Sequence, residues 1–146
     1  MKLEIINNFN SAYKFNNQSF STLASTIGTV ENYKFSYINI VFTDDENMRL
    51  LKKKYFNQDY YTDVISFNLE EPNNSIEGEI YIGMNQVYKN SIKFDCNLNS
   101  ELKRIIVHGL LHLVGYDDQT KKDKENMTKL EDKYMALHND IVLVEI

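Results

Sequence analysis

The spacing of apolar positions changes several times along the chain, and each change predicts an element. A short apolar run in residues 1–9 predicts a strand. Phe20, Leu23, Ala24, Ile27 and Val30 recur at three- and four-residue intervals, so residues 17–32 predict an amphipathic helix. Residues 35–43, FSYINIVFT, are aromatic and β-branched and predict a central strand. The strand ends at Asp44, whose short carboxylate suits the N-cap of a helix over residues 45–55. Alternation then takes over. Ile65, Phe67 and Leu69 in VISFNL, and Ile80, Ile82 and Met84 in EIYIGM, flank the turn-prone stretch EPNNS and predict a β-hairpin. Helical patterns return over residues 85–94, 100–114 and 121–138, before an apolar tail, IVLVEI, able to add an edge strand. With a single proline, Pro72, and no repeat or linker, the order predicts one domain over residues 1–146. Its expected class is α/β (α+β), a mixed sheet of about four strands packed with helices.

Composition narrows the setting of this fold. A hydrophobic share of 42% with 25% charged residues describes a chain that buries a core, and excludes disorder and fibres. One cysteine, Cys96, excludes an internal disulfide and a cysteine-based zinc site, and a residue of this kind is more often a buried small side chain than a nucleophile. The longest apolar stretches, around residues 105–107 and 110–111, fall far short of the roughly 18 residues that span a bilayer. The start, MKLEIINNFN, lacks a sustained apolar segment and a small-residue cleavage site, so the expected setting is soluble and cytoplasmic, with no membrane partner. Sixteen basic residues against 21 acidic ones give a net charge of −5, which favours solubility and disfavours a general-purpose nucleic-acid binder; DNA is not expected as a partner. Any nucleic-acid contact must be local. The candidates are Arg49, Lys52, Lys53 and Lys54, although a basic end to a helix with an acidic start also suits its macrodipole. Residues 121–133 alternate in sign and read as an exposed helix face, with His138 beyond them on the surface.

The segment that carries chemistry is residues 100–118, SELKRIIVHGLLHLVGYDD. From Ile105 to Val114 every residue is apolar or glycine except His108 and His112, so a helix buried almost all round would carry two imidazoles on one face. Arg104 lies one turn earlier on the same line. Histidines at i and i+4 can share one divalent ion. The competing reading is a pair of core histidines bonded to backbone or carboxylate. Gly109 costs helix stability and so implies a close approach, by another helix or a substrate. Gly115 lets the chain turn back so that Asp117 or Asp118 can point at the same ion. Two imidazoles, one carboxylate and an open fourth position form the donor set of a catalytic site. The glutamate of the protease pattern H-E-x-x-H is absent, its position being Gly109, so water activation would rest on the metal or on another carboxylate.

These residues resemble the YbeY endoribonuclease family of rRNA maturation factors, whose hallmark is H-G-x-L-H-L-x-G-Y-D-H; this chain reads HGLLHLVGYDD. Thr62, Asp63, Val64, Ser66 and Phe67 are similar to the family's T-D-V-L-S-F strand, and Gly78, Glu79 and Ile80 to its G-D-I strand. Met127 and Glu131 match a similar pair on the last family helix, so the resemblance covers about residues 40–135. It implies an α/β fold with the His108 helix over a mixed sheet. One zinc ion per chain would be held by His108, His112 and Asp118, or another divalent metal, since Asp118 stands where the family has histidine. Asp117 and Asp63 are then the candidate catalytic carboxylates, and Thr62, Ser66, Glu79 and Arg104 the candidate cleft residues. Phe56 stands where the family has an arginine, which leaves Arg49 and Lys52–Lys54 as the nearest cations. Tyr55, Phe56, Tyr60 and Tyr61 suit either base stacking or, more often, core packing.

The implied activity is zinc-dependent, single-strand endoribonucleolytic cleavage in 3′ end maturation of small-subunit (16S) rRNA and in ribosome quality control. Ribosomal RNA and small-subunit components are the implied partners. Two alternatives remain at this stage: a non-catalytic ribosome-assembly factor with a structural metal, and a metallohydrolase of another substrate.

Overall fold

The structure is a computed structural model that describes residues 1–70 and 75–146; most of the EPNNS turn therefore lies outside the described residues. The elements are β1 (Lys2–Asn7), β2 (Lys14–Phe15), α1 (Asn17–Glu31), β3 (Lys34–Thr43), α2 (Asp45–Phe56), β4 (Val64–Asn68), β5 (Ser75–Gly83), α3 (Met84–Lys93), α4 (Leu98–Leu113), α5 (Lys121–Leu137) and β6 (Val144–Glu145). The helices start where side chains can accept orphan N–H groups. Asn16, Asp44, Asn97 and Thr120 each accept a hydrogen bond from a backbone N–H of the first turn that follows. The Asp44 cap is as the sequence predicts, and Asn97 starts α4 two residues earlier than the apolar pattern does.

The sheet order is β1-β3-β5-β4, with β1, β3 and β5 parallel and β4 antiparallel to β5. This is the expected mixed four-stranded sheet, with 35–43 in the interior and the 64–69 and 79–84 segments paired. Its two faces differ. Ile38, Ile40 and Phe42 of β3 pair in register with Gly78, Ile80 and Ile82 of β5, and this face receives α4: a Cβ at Gly78 would lie 2.6 Å from the Leu113 side chain. Phe20 of α1 packs edge-on against Phe42, so α1 covers the same face. The opposite face meets α2, whose Met48 lies against Gly83 and whose Tyr55 and Phe56 pack on Phe67 of β4. β4 is an edge strand, and its free side is where the site opens.

Gly109 has a plainer cause than a helix or substrate. A Cβ there would lie 3.1 Å from Ser66 Oγ and 3.2 Å from Ile80 Cγ2, so it is the sheet that approaches α4. Ser66 Oγ donates a hydrogen bond to the Gly109 carbonyl at 3.0 Å and pins β4 to the helix. The tail does form a strand, but β6 pairs with β2 in a separate two-stranded sheet rather than at the edge of the main one. Asn99 at the start of α4 holds it there, accepting from the N–H groups of Leu143 and Val144. His138 is not free on the surface: its Nε2 is 2.7 Å from Thr26 Oγ1 in a half-buried contact. Cys96 is exposed rather than buried. Among the described residues no helix is long and apolar enough to cross a membrane.

Candidate metal centre

On α4, Ile105, Ile106, Val107, Gly109, Leu110, Leu111 and Leu113 are all buried, which fixes the helix in rotation and leaves one stripe facing outward. His108 and His112 occupy that stripe. Their side chains retain 22% and 28% exposure, so they line an opening instead of sitting inside the core. After the helix, Gly115 takes φ +104, the left-handed region that glycine enters without penalty. The chain turns back, and Asp118 comes to rest facing both rings.

The three donor atoms converge. His108 Nε2 and His112 Nε2 are 3.0 Å apart, and Asp118 Oδ2 lies 3.2 Å from the first and 3.5 Å from the second. Ligands about 2.1 Å from a tetrahedral ion are separated from one another by about 3.4 Å, so the spacing fits a single divalent ion with no large rearrangement. Among the described residues this is the group of histidine and carboxylate side chains placed to hold one. Nitrogen and oxygen donors without thiolate suit zinc and several other first-row ions. The second nitrogen of His108 is occupied: Nδ1 lies 2.7 Å from Glu131 Oε2. Glu131, buried on α5, also accepts from Arg104 Nη1 at 3.0 Å, while Arg104 Nη2 bonds Asp132 at 2.8 Å. The carboxylate fixes the His108 tautomer with Nδ1–H donating, which leaves the Nε2 lone pair aimed at the ion position. Burial works against protonation of His108, but the Glu131 hydrogen bond and charge, with Asp118 and Asp63 nearby, outweigh it and raise its pKa.

The donors open into a cleft of about 660 Å³ whose lining includes Lys52, Phe56, Gln58, Tyr60, Thr62, Asp63, Ser66, His108, His112, Asp117 and Asp118. Residues from α2, the loop after it, the β4 edge, α4 and the metal turn are thus brought together. Asp63 accepts a hydrogen bond from Asn90 at 3.2 Å, and burial pushes its carboxyl pKa up. Asp117 is exposed, accepts from the Asp118 N–H at 2.8 Å and is not one of the three converging donors. Tyr116, between Gly115 and Asp117, donates to Glu31 at 2.6 Å, and this bond pushes its phenol pKa up to about 12.

Several sequence-predicted residues lie elsewhere. Glu79 pairs in register with Asn39 and accepts from its Nδ2 at 3.2 Å, on the sheet face away from α4, because alternation along β5 sends it opposite to Gly78 and Ile80. Arg104 stands behind His108, engaged by two carboxylates, and does not line the cleft. Of the basic run only Lys52 lines the cleft; its Nζ sits 4.6 Å from the Phe56 ring centroid and 5.3 Å from that of Tyr60. Arg49 is held by Asp59 at 2.7 Å and by Glu46, and Lys54 lines a separate hollow with Leu50, Val41 and Tyr81. Lys53 is exposed and outside the cleft. Tyr55, Phe56, Tyr60 and Tyr61 are all exposed at 44–55%, so core packing is not their role. The resemblance places Glu131 but gives it no role at the site. Its signal is present nonetheless: Met127, Glu131 and Tyr134 form the buried stripe of an otherwise charged helix, and an acid in such a stripe must have a partner.

A helix presenting two histidines over a mixed sheet, a carboxylate returned by a glycine turn and an open cleft together form a site that could hold a metal ion beside a bound substrate. The family model described as "Endoribonuclease YbeY" matches residues 5–139, and the chain belongs to that family. Proteins named "Endoribonuclease YbeY" from Karelsulcia muelleri and Flavobacterium johnsoniae are 38% and 35% identical, covering 83% and 89% of this chain and 85% and 95% of the relative. The solution structure of a Thermotoga maritima protein, 23% identical, superposes with a TM-score of 0.60 over 94% of this chain and 91% of the other, which supports the fold.

Proposed function

We propose that this protein is a zinc-dependent endoribonuclease of the cytoplasm that cleaves single-stranded RNA in 3′ end maturation of small-subunit rRNA and in ribosome quality control. Ribosomal RNA and small-subunit components are its partners in this reading. The observation that carries it is the convergence of His108, His112 and Asp118 beside a cleft lined by one cation and two aromatic rings. His108, His112 and Asp118 would hold a divalent ion, which would supply Lewis acidity at that place.

The chain's own residues do the rest. Glu131 holds the His108 ring in one tautomer, so that Nε2 is always presented. The Lys52 ammonium, steadied over Phe56 and Tyr60, reaches a phosphate oxygen of the strand in the cleft and compensates the charge that grows there. Asp63, with its raised pKa, is placed to take and return a proton. Asp117 shapes the turn. The exposed, cation-flanked Phe56 and Tyr60 rings favour an unpaired base, because a paired base offers no free face to an aromatic side chain.

The test is cleavage of a single-stranded RNA covering the small-subunit 3′ end, before and after chelation and with zinc restored. Activity should disappear on chelation, return with zinc, and be absent on the same sequence in duplex form. Full-rate cleavage by the chelated protein would refute the reading. Lys52→Ala should weaken RNA binding and flatten its log–log salt slope by about 0.7, one phosphate contact on a single strand. Lys53→Ala should leave the slope unchanged.

A further inference from the structure

One carboxylate outside the cleft joins three elements. Glu31 is the last residue of α1, a helix anchored in the core by Phe20, Leu23, Ala24 and Ile27. One of its carboxylate oxygens accepts from the phenol of Tyr134, which is fully buried on α5, and the other accepts from Tyr116 Oη at 2.6 Å. Tyr116 is the residue between the left-handed Gly115 and Asp117–Asp118. The backbone ties of this turn run back to its own helix, Gly115 N–H to the His112 carbonyl and Tyr116 N–H to the Leu111 carbonyl. Beyond Tyr116 the Asp118 N–H bonds only the adjacent Asp117 side chain. Apart from the two histidines, the Tyr116 phenol is thus the hydrogen-bonded tie from the described turn to a distant part of the fold.

We infer that Glu31 is a positioning residue for the metal centre: braced by Tyr134, it latches the turn through Tyr116 and holds Asp118 facing His108 and His112 before the ion arrives. This rests on the reading of Asp118 as the third ligand. Gly115 makes the turn possible but also flexible, and with nothing within 4 Å of where its Cβ would be, no neighbour confines it. Ordering a free turn would be charged against ion binding; a turn already ordered by α1 avoids that cost. The arrangement also separates two roles that share one acceptor. The Tyr134 bond braces the carboxylate inside the fold, and the Tyr116 bond transmits that rigidity to the ligand.

The decisive measurement is divalent-ion affinity of the folded protein, by zinc competition with a chromophoric chelator, with cobalt(II) absorption as a report on ligand geometry. Tyr116→Phe should weaken zinc about threefold to tenfold, less than the 10–100-fold loss common for direct partners of a ligand, and alter the cobalt spectrum. Tyr134→Phe, which removes the brace but leaves the Tyr116 bond, should lower the melting temperature of the metal-free protein and weaken zinc less than Tyr116→Phe does. Glu31→Gln, which keeps a carbonyl acceptor, should retain most of the affinity that Glu31→Ala loses. Wild-type affinity and spectrum in Tyr116→Phe would overturn the latch. Asp118→Ala separates the two levels. If it loses the ion while Tyr116→Phe does not, the ligand assignment stands and the latch falls; if it keeps the ion, the ligand assignment and the latch fall together. Neither result depends on RNA cleavage.

Discussion

The candidate metal site takes two of its donor side chains from α4 and the third from the turn that follows, and the two sources are built differently. His108 and His112 ride on a helix whose other faces are buried against the sheet and the neighbouring helices, so their positions follow from the core. Asp118 sits in a turn of exposed residues, governed by one glycine and a few hydrogen bonds. The helix fixes where an ion can bind, while the turn adjusts charge and geometry at that place. A ligand on a rigid element tolerates little substitution, whereas one on a turn can be exchanged for another donor without disturbing the fold.

The largest test of that difference exchanges donors. His112→Ala should abolish ion binding and activity, and His112→Asp should fail to restore them, because a helix cannot move to bring the shorter side chain into reach. Asp118→Ala should also lose the ion. Asp118→His, in contrast, should keep or tighten zinc and move the pH–rate profile downward, since a neutral imidazole leaves more positive charge on the ion than a carboxylate does. Equal tolerance at positions 112 and 118, read by zinc competition, would erase the distinction. Asp117→Ala should keep the ion.

Next in size is Glu131→Ala. It leaves Arg104 with one acceptor and releases the His108 ring, and zinc affinity should fall by about 10–100-fold. Gly109→Ala probes the helix side without touching a donor. The added methyl meets Ser66 and Ile80 near 3.1 Å, and crowding a packed contact costs about 1–3 kcal/mol, against about 1 kcal/mol gained in helix propensity. A net loss of roughly 1 kcal/mol in denaturant unfolding is expected; a stabilised variant would show that α4 can lift off the sheet.

The smallest effect is pH dependence in the metal-free protein. Because the folded-state pKa of His108 is raised, the stability given by its protonated ring against Glu131 is fully present below about 6.5 and is lost as pH rises through the folded value. The melting temperature of chelated protein should therefore fall through that window, and His108→Gln should flatten the curve. Zinc binding should run the other way, strengthening as the proton leaves.

Much of the helix side could be read in the sequence, because periodicity is a local property. The i, i+4 histidines in an apolar run, the Asp44 cap and the alternation in β4 and β5 all declare themselves within a few residues. What escaped local reading depends on contacts across the chain. Gly109 announced a close approach, but only the fold shows that Ser66 and Ile80 make it. Glu79 shares a strand with Ile80, and its side of the sheet follows from register against β3 and from which face α4 occupies. The basic run is uniform in sequence, yet helical rotation sends Lys52 into the cleft, Lys54 to another hollow and Arg49 to Asp59. Glu31 lies 85 residues from Tyr116, and nothing near it in the chain marks it as a partner of the turn.

The position of β4 at the edge of the sheet has a consequence for self-association. An open strand edge offers unpaired N–H and C=O groups to any extended chain, including a second copy of the same protein, and an active site that opens beside such an edge cannot simply bury it. At the other border, the side chain of Asn17 already occupies the Leu3 carbonyl of β1. β4 is blunted by other means. It is only five residues long, and the cleft beside it is lined by Phe56 and Tyr60 as well as by Asp117 and Asp118 of the turn after Gly115. The walls of the cleft stand across the straight approach that a rigid β-ribbon needs to extend the sheet.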